Sequence, residues 1–365
     1  MPRIAFIPTL KVSVIITAYN RKNFIQDAIN SVIHQTLSRL NYEVVVVKNF
    51  LDREIDSLIE ENAFISVISH EKFQGKMLYD GIVNSSGEII ALLDDDDIFM
   101  PNKLECVLNQ FVSNVNLVYL HNGLVQCTSD KFSSLNLVDS CFRNNNPKTP
   151  KSDYMVLECG SGARAISKFR QNGGDFSSSC ISFRREILAD AYEILKKVQH
   201  SVDSFIFCAS AVSGKKLAID KKPLTVYRIS ESNSTNYTVS RLLGLNQGIS
   251  QTKENDSKLL LQRKMTIYLK ELLEDLYLFK NAILIRAPKL RNLLDVQISS
   301  ISLTLLFTRD LNYSPAHSIR SIFYIGTQYL VSVIRPINIS IKNLQDVFSN
   351  FHKFLRILFQ KPKSP

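Results

Sequence analysis

The sequence predicts an α/β fold in which a mostly parallel sheet is covered by helices on both faces. Apolar runs of strand length alternate with segments whose apolar residues recur at helical spacing through the first hundred residues. The strand-like runs are continuously apolar, as in strands that are buried on both faces of a sheet. At 365 residues, of which 45% are hydrophobic, the chain can form one large domain or two ordinary ones.

Predicted strands and helices alternate along the first hundred residues. Predicted strands cover 11–19, 42–47, 64–69 and 89–94, and predicted helices cover 23–35, 52–62 and a segment from 75 that Ser85–Gly87 stop. Pro101 is expected to open the next helix, because proline is favoured in a first helical turn. Ligands bind beyond the carboxyl ends of parallel strands, so three strand ends are expected to share one cleft. These are Tyr19–Arg21, Lys48–Asn49 and Asp94–Asp97.

The run Asp94–Asp97 follows a buried strand, where four adjacent like charges repel one another. One interpretation is a solvated turn in which Asp96 or Asp97 caps the helix after Pro101. The other is a site for a divalent cation, Mg²⁺ or Mn²⁺, which prefers oxygen ligands and shares them with substrate phosphates. Four carboxylates at one strand end favour the second interpretation.

Five segments together resemble one known family in their order and spacing. They are "VSVIITAYNR" (12–21), "FIQDAINSVIHQT" (24–36), "YEVVVV" (42–47), "SSGEIIALLDDDD" (85–97) and "KKLAIDKKPLTVYRISESNS" (215–234). They resemble the family 2 glycosyltransferases, which use nucleotide-sugar donors and have the GT-A fold. The resemblance implies a GT-A catalytic domain over residues 1–235, followed by a basic, mainly helical region over 236–365.

The resemblance also implies roles for the strand ends. Thr17, Ala18 and Tyr19 would lie by the base and ribose of the donor. The acidic run resembles the Asp-x-Asp motif of the family, in which Asp94 would face the ribose or sugar and Asp96 would hold the metal that bridges the diphosphate. Asp94 is therefore a candidate for both the donor and the metal, and we place Arg21 and Asp95 among the donor-binding residues.

Two departures from the family pattern concern the donor. Lys48-Asn49 stands where the family usually has Asp-Asp, whose first Asp recognises a pyrimidine. Lysine cannot accept a hydrogen bond from a base, whereas Asn49 can accept and donate, so the base is left open. The usual Arg-Asn is missing ahead of Gly81-Ile82, and Lys76 is a substitute candidate on the phosphate side.

Transfer with inversion needs a carboxylate that accepts the proton of the acceptor hydroxyl. By resemblance Asp203 has the position of that base, although Val202 replaces the usual Glu; the alternative is an acidic residue that only favours the first helical turn. Asp175, in a glycine-containing turn, is the reserve candidate. Arg228, in the segment that resembles the closing motif of the family, would either reach the diphosphate or pair with a sheet-edge carboxylate.

The charge excess lies in the last third of the chain. Residues 1–240 hold 26 basic and 26 acidic residues, and residues 241–365 hold 18 and 8. Within 341–359 an apolar stripe opposes a basic face, which is typical of helices at anionic membrane surfaces, although packing within a helical domain is the alternative. The apolar segment 321–334 is too short to span a bilayer. We expect no nucleic-acid partner, because no recognisable binding module accompanies the dispersed basic residues.

The sequence-based hypothesis is therefore a metal-dependent, inverting hexosyltransferase that acts on a glycan or lipid-linked saccharide. No signal peptide is recognisable at the N-terminus and no Cys-x-x-Cys pair occurs, so we expect reduced thiols and a cytoplasmic protein at the inner membrane face. A nucleotidyltransferase is disfavoured by the lack of a Gly-rich loop. A non-catalytic sugar-nucleotide binder or membrane-assembly protein is the alternative from another class, which Lys48-Asn49 and Val202 support.

Overall fold

The structure, a computed structural model, describes residues 10–128, 154–158, 160–229 and 270–287, together with Ile267, Leu290, Leu294, Asp295 and Ile298. These residues form a mixed sheet with flanking helices. The strands are β1 Val12–Ala18, β2 Tyr42–Lys48, β3 Ile65–Ile68, β4 Ile89–Asp94, β5 Ile98–Phe99, β6 Leu117–Thr128, β7 Tyr154–Leu157, β8 Ile181–Arg184 and β9 Lys216–Ile229. The α-helices are α1 Ile25–Ile33, α2 Arg53–Glu61, α3 Gln74–Val83, α4 Lys103–Ser113, α5 Ala163–Gln171, α6 Tyr192–Leu195, α7 Val202–Ala211 and α8 270–278.

The first half of the domain confirms the predicted α/β architecture. Strands β3, β2, β1 and β4 lie side by side in that order and all pair in parallel. The apolar runs of β1, β2 and β4 are buried because helices cover the sheet, with α1 and α3 both packed on β1, whereas Ile65 and Ile68 of β3 are exposed. The register places Thr17 beside Asp94 and Ala18 beside Lys48, so the predicted strand ends meet at one edge.

The second half makes the sheet mixed rather than mostly parallel. Beyond β4 the order continues β8, β6, β9 and β5, with β7 paired to β9. β8 is antiparallel to both β4 and β6, and β5 is antiparallel to β9, whereas β6 and β9 run parallel. An apolar run shows that a strand is buried but not which way its neighbour runs, so this half could not be oriented from the sequence.

The helix predicted to begin at Pro101 instead begins at Lys103. Pro101 and Asn102 form a turn in which the Lys103 N–H donates to the carbonyl of Met100 at 2.9 Å. Asn102 occupies the N-cap position, so neither Asp96 nor Asp97 caps this helix. The solvated-cap interpretation of the acidic run is therefore wrong.

Residues 270–295 form one compact unit with residues 1–230. The Phe279 ring, in a π-helical turn that follows α8, packs on Phe205 of α7 with 5.7 Å between the ring centroids. The division at residue 235 stays a prediction, and segments 321–334 and 341–359 lie outside the described residues. In the part of the chain that the structure describes, no helix is both long enough and apolar enough to cross a bilayer.

The cysteines differ in part from the expectation of reduced thiols. Cys106, Cys180 and Cys208 are free, and the last two are buried. Cys127 is disulfide-bonded, so the expectation is wrong there. Sequence spacing does not reveal which cysteines meet in the folded chain.

Candidate active site

The ends of β1, β2 and β4 meet in a cleft at the carboxyl edge of the parallel strands. The Asn20 N–H donates to Asn49 Oδ1, and Asn49 Nδ2 donates to Asn20 Oδ1, both at 2.7 Å. A pocket in this cleft is lined by Thr17, Gln74, Asp94, Ser178 and Val202 among others. The pocket therefore combines the ends of β1 and β4, two of the three predicted strand ends, with residues of α3 and α7.

Arg21 offsets part of the charge of the acidic run. Its Nε donates to Asp95 Oδ2 at 2.8 Å and its Nη2 donates to the other oxygen of the same carboxylate, while Nη1 lies 2.8 Å from Asp96 Oδ2. Asp95 is only 3% exposed. Burial raises the pKa of Asp95 to about 6, although the hydrogen bonds and charge of Arg21 oppose this rise.

Arg228 supports the acidic run from inside the protein. Its backbone N–H donates to Asp97 Oδ1 at 3.0 Å, and its Nε donates to the Asp96 carbonyl at 2.8 Å. Its Nη2 pairs with Asp27 Oδ2 of α1 at 2.6 Å, and the side chain is 2% exposed. Arg228 therefore pairs with a carboxylate of helix α1, whereas the alternative considered from the sequence was a carboxylate at the sheet edge.

Asp97 is a buried carboxylate with one unsatisfied oxygen. Among the described residues, Asp97 Oδ2 has no hydrogen-bond partner. Burial raises the pKa of Asp97 well above its usual value, and the charges of Asp96 and Asp94 raise it further. Arg21 and the Arg228 backbone thus hold part of the acidic run, while burial disfavours the charged form of Asp97.

Asp94 lies at the cleft and is held by two serines that the sequence analysis missed. Ser178 Oγ donates to Asp94 Oδ2, and Ser179 Oγ accepts the Asp94 N–H at 3.0 Å. Burial raises the pKa of Asp94 to about 6, with a further contribution from Asp96. The three serines that follow "GGDF" were the available signal, because such a cluster of hydroxyls beside a turn can orient a carboxylate.

Asp203 lies in the first turn of α7 and accepts the Ser204 N–H at 2.7 Å. Burial raises the pKa of Asp203 to about 7, and the charges of Asp175 and Asp94 add to the rise. Val202, the residue before Asp203, lines the same pocket as Asp94. Asp175 is ion-paired, because Arg170 Nε donates to its Oδ2 at 2.5 Å. A carboxylate that titrates near neutral pH can accept a proton during turnover, which favours Asp203 over Asp175 as the base.

The remaining donor-binding candidates already have protein partners. The buried Lys48 ammonium contacts the Phe50 carbonyl at 2.9 Å and Asp56 at 2.7 Å, so it points towards α2. Asn49 is bonded to Asn20, and Lys76 lies 2.5 Å from Asp80 one turn along α3. Ala18 is buried, whereas Tyr19 is exposed at the end of β1.

The carboxylates fit a divalent cation only if the ion takes most of its ligands from a bound donor. Within the described ranges, no group of three or more His, Cys, Asp or Glu side chains could hold a metal by itself. Mg²⁺ and Mn²⁺ can bind through one or two carboxylates and substrate phosphates, and Asp94 and Asp96 would supply such a pair. Arg21 contacts one oxygen of Asp96.

Comparison with known proteins shows a similarity to one family. The model of glycosyl transferase family 2 matches residues 13–191, just under half of the chain, which include the acidic run and the Asp175 turn. These residues are thus similar to glycosyl transferase family 2.

Three individual proteins illustrate the similarity. An uncharacterised glycosyltransferase of Rickettsia bellii is 40% identical over 118 residues, which are 31% of this chain and 16% of that protein. One from Nostoc sp. is 26% identical over 233 residues, which are 62% of this chain and 66% of that protein. The structure of S. aureus TarS 1–349 in complex with UDP-GlcNAc has a TM-score of 0.47 and 14% identity, covering 82% of this chain and 81% of that one. The chain thus spans less than two thirds of these two curated relatives.

Proposed function

We propose that this protein transfers a sugar from a nucleotide-diphosphate-sugar donor to the hydroxyl of a glycan or lipid-linked saccharide. The observation that carries the proposal is the pocket that Asp94, at the end of β4, lines together with Val202, the first residue of α7. Asp203, whose pKa burial raises to about 7, follows Val202 directly in the chain. The similarity to the model of glycosyl transferase family 2 supports the same reaction class.

Each side of the cleft has its own role in this proposal. Thr17, Ala18 and Tyr19 would hold the nucleotide, and Asp94, oriented by Ser178, would bind the ribose or the sugar. Asp96 and Asp94 would hold Mg²⁺ or Mn²⁺, and such an ion, when bound, offsets negative charge on a departing diphosphate. Arg21 would retain Asp95 and thereby keep the acidic run in place for the donor.

Asp203 would act as the general base for a hexosyl transfer with inversion. Its carboxylate would accept the proton of the acceptor hydroxyl as that oxygen attacks the anomeric carbon. The donor carbon–oxygen bond to the diphosphate breaks in the same displacement, and the diphosphate leaves with the electron pair. Because burial raises the pKa of Asp203 to about 7, the base form is populated above that pH.

Phe176 supports a saccharide acceptor. Its ring is 45% exposed, follows Asp175 directly in the chain and lies 5.9 Å from the Tyr227 ring. The face of an aromatic ring is electron-rich and attracts the polarised C–H groups on the apolar face of a sugar. The basic residues of 241–365 would bring the protein to an anionic membrane surface, where lipid-linked acceptors reside.

Calorimetric titration with UDP, GDP and their common sugar conjugates, with and without Mn²⁺, tests the donor side. We expect one diphosphate class to bind in a metal-dependent manner and Asp96→Asn to abolish that binding. Asp220→Asn is the matched control, because Asp220 accepts a local backbone N–H at 3.0 Å and asparagine can keep that bond. Transfer to a saccharide acceptor, lost in Asp203→Asn, would establish the reaction. Absence of binding in every condition would overturn the proposal in favour of a non-catalytic protein.

A further inference from the structure

The segment that leads into α7 is held by one buried carboxylate from far along the chain. Asp275, in α8, accepts the N–H of Gln199 at 2.8 Å, of His200 at 2.9 Å and of Ser201 at 3.1 Å. Asp275 is 1% exposed. Ser201 is the N-cap residue of α7 but makes no side-chain capping bond of its own. Asp275 therefore supplies from another helix the acceptor that a helix N-terminus normally finds locally.

The same segment is fixed on its other side by α3. The N–H groups of Gln74 and Gly75 donate to the carbonyls of Gln199 and Val198 at 3.1 and 3.0 Å. Gly75 packs so closely that a Cβ at this position would lie 2.0 Å from the Leu195 carbonyl oxygen. Residues 198–201, here named the α7 linker, thus lie between α3 and α8. Carbonyl groups of the linker accept hydrogen bonds from α3, and its N–H groups donate to Asp275 of α8.

Two more contacts from α8 and one from the turn after it restrain this region. His200 Nε2 lies 2.6 Å from Glu271 Oε2, and Gln199 Nε2 donates to Glu274 Oε2 at 2.8 Å. The Phe279–Phe205 ring contact joins the turn after α8 to α7 itself. Of the three acidic side chains of α8 that contact the linker, those of Glu271 and Glu274 are partly or fully exposed, whereas that of Asp275 is buried.

We propose that Asp275 is a positioning residue that sets the location of Asp203 and that α8 is a functional part of the active site. The proposal rests on the proposed function of Asp203 as the base. Asp203 is the second residue of α7, two residues beyond the last N–H that Asp275 accepts, so a shift of the α7 linker moves its carboxylate. A displacement of about 1 Å in a catalytic group can cost roughly 100-fold in rate. The match to the family model ends at residue 191, so this contribution comes from outside the matched segment.

The test compares Asp275→Asn and Asp275→Ala with wild type in the full-length chain, using the UDP- and GDP-sugar panel. Asp295→Asn is the matched control, because Asp295 pairs with Lys280 in the same region without contacting the α7 linker. We expect kcat to fall about 10- to 100-fold in Asp275→Ala and less in Asp275→Asn, which keeps one acceptor oxygen. The donor Kd should stay within about 2-fold of wild type, and hydrogen exchange should speed up in peptides that cover the α7 linker.

The pH profile separates positioning from a general loss of structure. If the Asp203 carboxylate moves towards solvent, its charged form regains hydration and its pKa falls. The pH below which kcat declines should therefore be lower in the variant than in wild type, where it is near pH 7. An unchanged kcat and limb in the folded Asp275→Asn variant, or an equal loss in Asp295→Asn, would overturn the inference while the proposed function stood. A wild-type protein that binds donors but transfers nothing would overturn both.

Discussion

Replacing Arg21 with alanine is the most direct test of how the acidic run is compensated. The variant leaves Asp95, 3% exposed, without the two hydrogen bonds that its oxygens accept and leaves Asp96 without its ion pair. Breaking a buried ion pair from one side costs about 3–5 kcal/mol. Because 26% of the Arg21 side chain is exposed, we expect the lower end, about 3 kcal/mol of unfolding free energy.

Thermal and urea unfolding would measure this cost. A loss of about 3 kcal/mol corresponds to a Tm about 6–12 °C below wild type for a domain of this size. Lys22→Ala is the matched control, because Lys22 pairs with Asp52 at the surface and such pairs contribute less than about 1 kcal/mol. A double-mutant cycle with Asp95→Asn should return a coupling of at least about 1 kcal/mol.

Arg21 and a divalent cation would compensate the same carboxylates. Added MnCl₂ should therefore stabilise Arg21→Ala more than wild type, by up to about 2.7 kcal/mol when Mn²⁺ exceeds its Kd 100-fold. If Arg21→Ala cost no more than Lys22→Ala, or if the cycle showed no coupling, the reasoning about the acidic run would be refuted.

Three further predictions concern individual buried or exposed groups. Burial lowers the pKa of Lys103 to about 7, so the folded protein holds this proton less tightly than the unfolded chain does. In urea unfolding, the unfolding free energy of wild type should therefore rise by about 2 kcal/mol relative to that of Lys103→Met between pH 7.5 and 9.0. Parallel pH curves for the two proteins would contradict this. Asp203→Asn should lower kcat about 10²- to 10⁴-fold, and wild-type activity should fall as the pH drops below about 7, where the base becomes protonated; a pH-independent kcat would exclude Asp203 as the base. Phe176→Ala should raise the acceptor KM about 10-fold with the donor Kd unchanged, whereas Phe176→Tyr should keep it; an unchanged acceptor KM would remove Phe176 from the acceptor site.

The elements of the parallel half could be predicted because their signals are local. Each strand is one continuous apolar run, and each intervening helix shows its own periodicity, so β2 and β4 were placed within a residue of their observed ends. The meeting of Asn20, Asn49 and the acidic run follows from the rule that parallel strands end at one edge. This rule therefore predicted that three strand ends, each recognised separately in the sequence, lie in one cleft.

The partners of the site residues could not be predicted, because they depend on contacts between distant segments. Arg21 and Asp95 are 74 residues apart, and Ser178 and Asp94 are 84 apart. Arginine carries no local signal for its partner, and the serine cluster after "GGDF" does not indicate which carboxylate it contacts. Asp275 lies beyond residue 235, where the resemblance to the family ends, so nothing in the sequence connected it with the helix that carries Asp203.

The acidic run divides into residues that maintain the fold and residues that face the cleft. Asp95 is bound by Arg21, and Asp97 is bound by the Arg228 backbone inside the protein, so both are committed to holding the segment after β4. Asp94 keeps part of its surface open to the pocket, and Asp96 has only one oxygen in contact with Arg21. Two of the four carboxylates are thus engaged by protein groups in a run that resembles an Asp-x-Asp motif. Arg21 offsets the charge of Asp95, and burial raises the pKa of both Asp95 and Asp97. Asp94 and Asp96 are the pair that we propose for the donor.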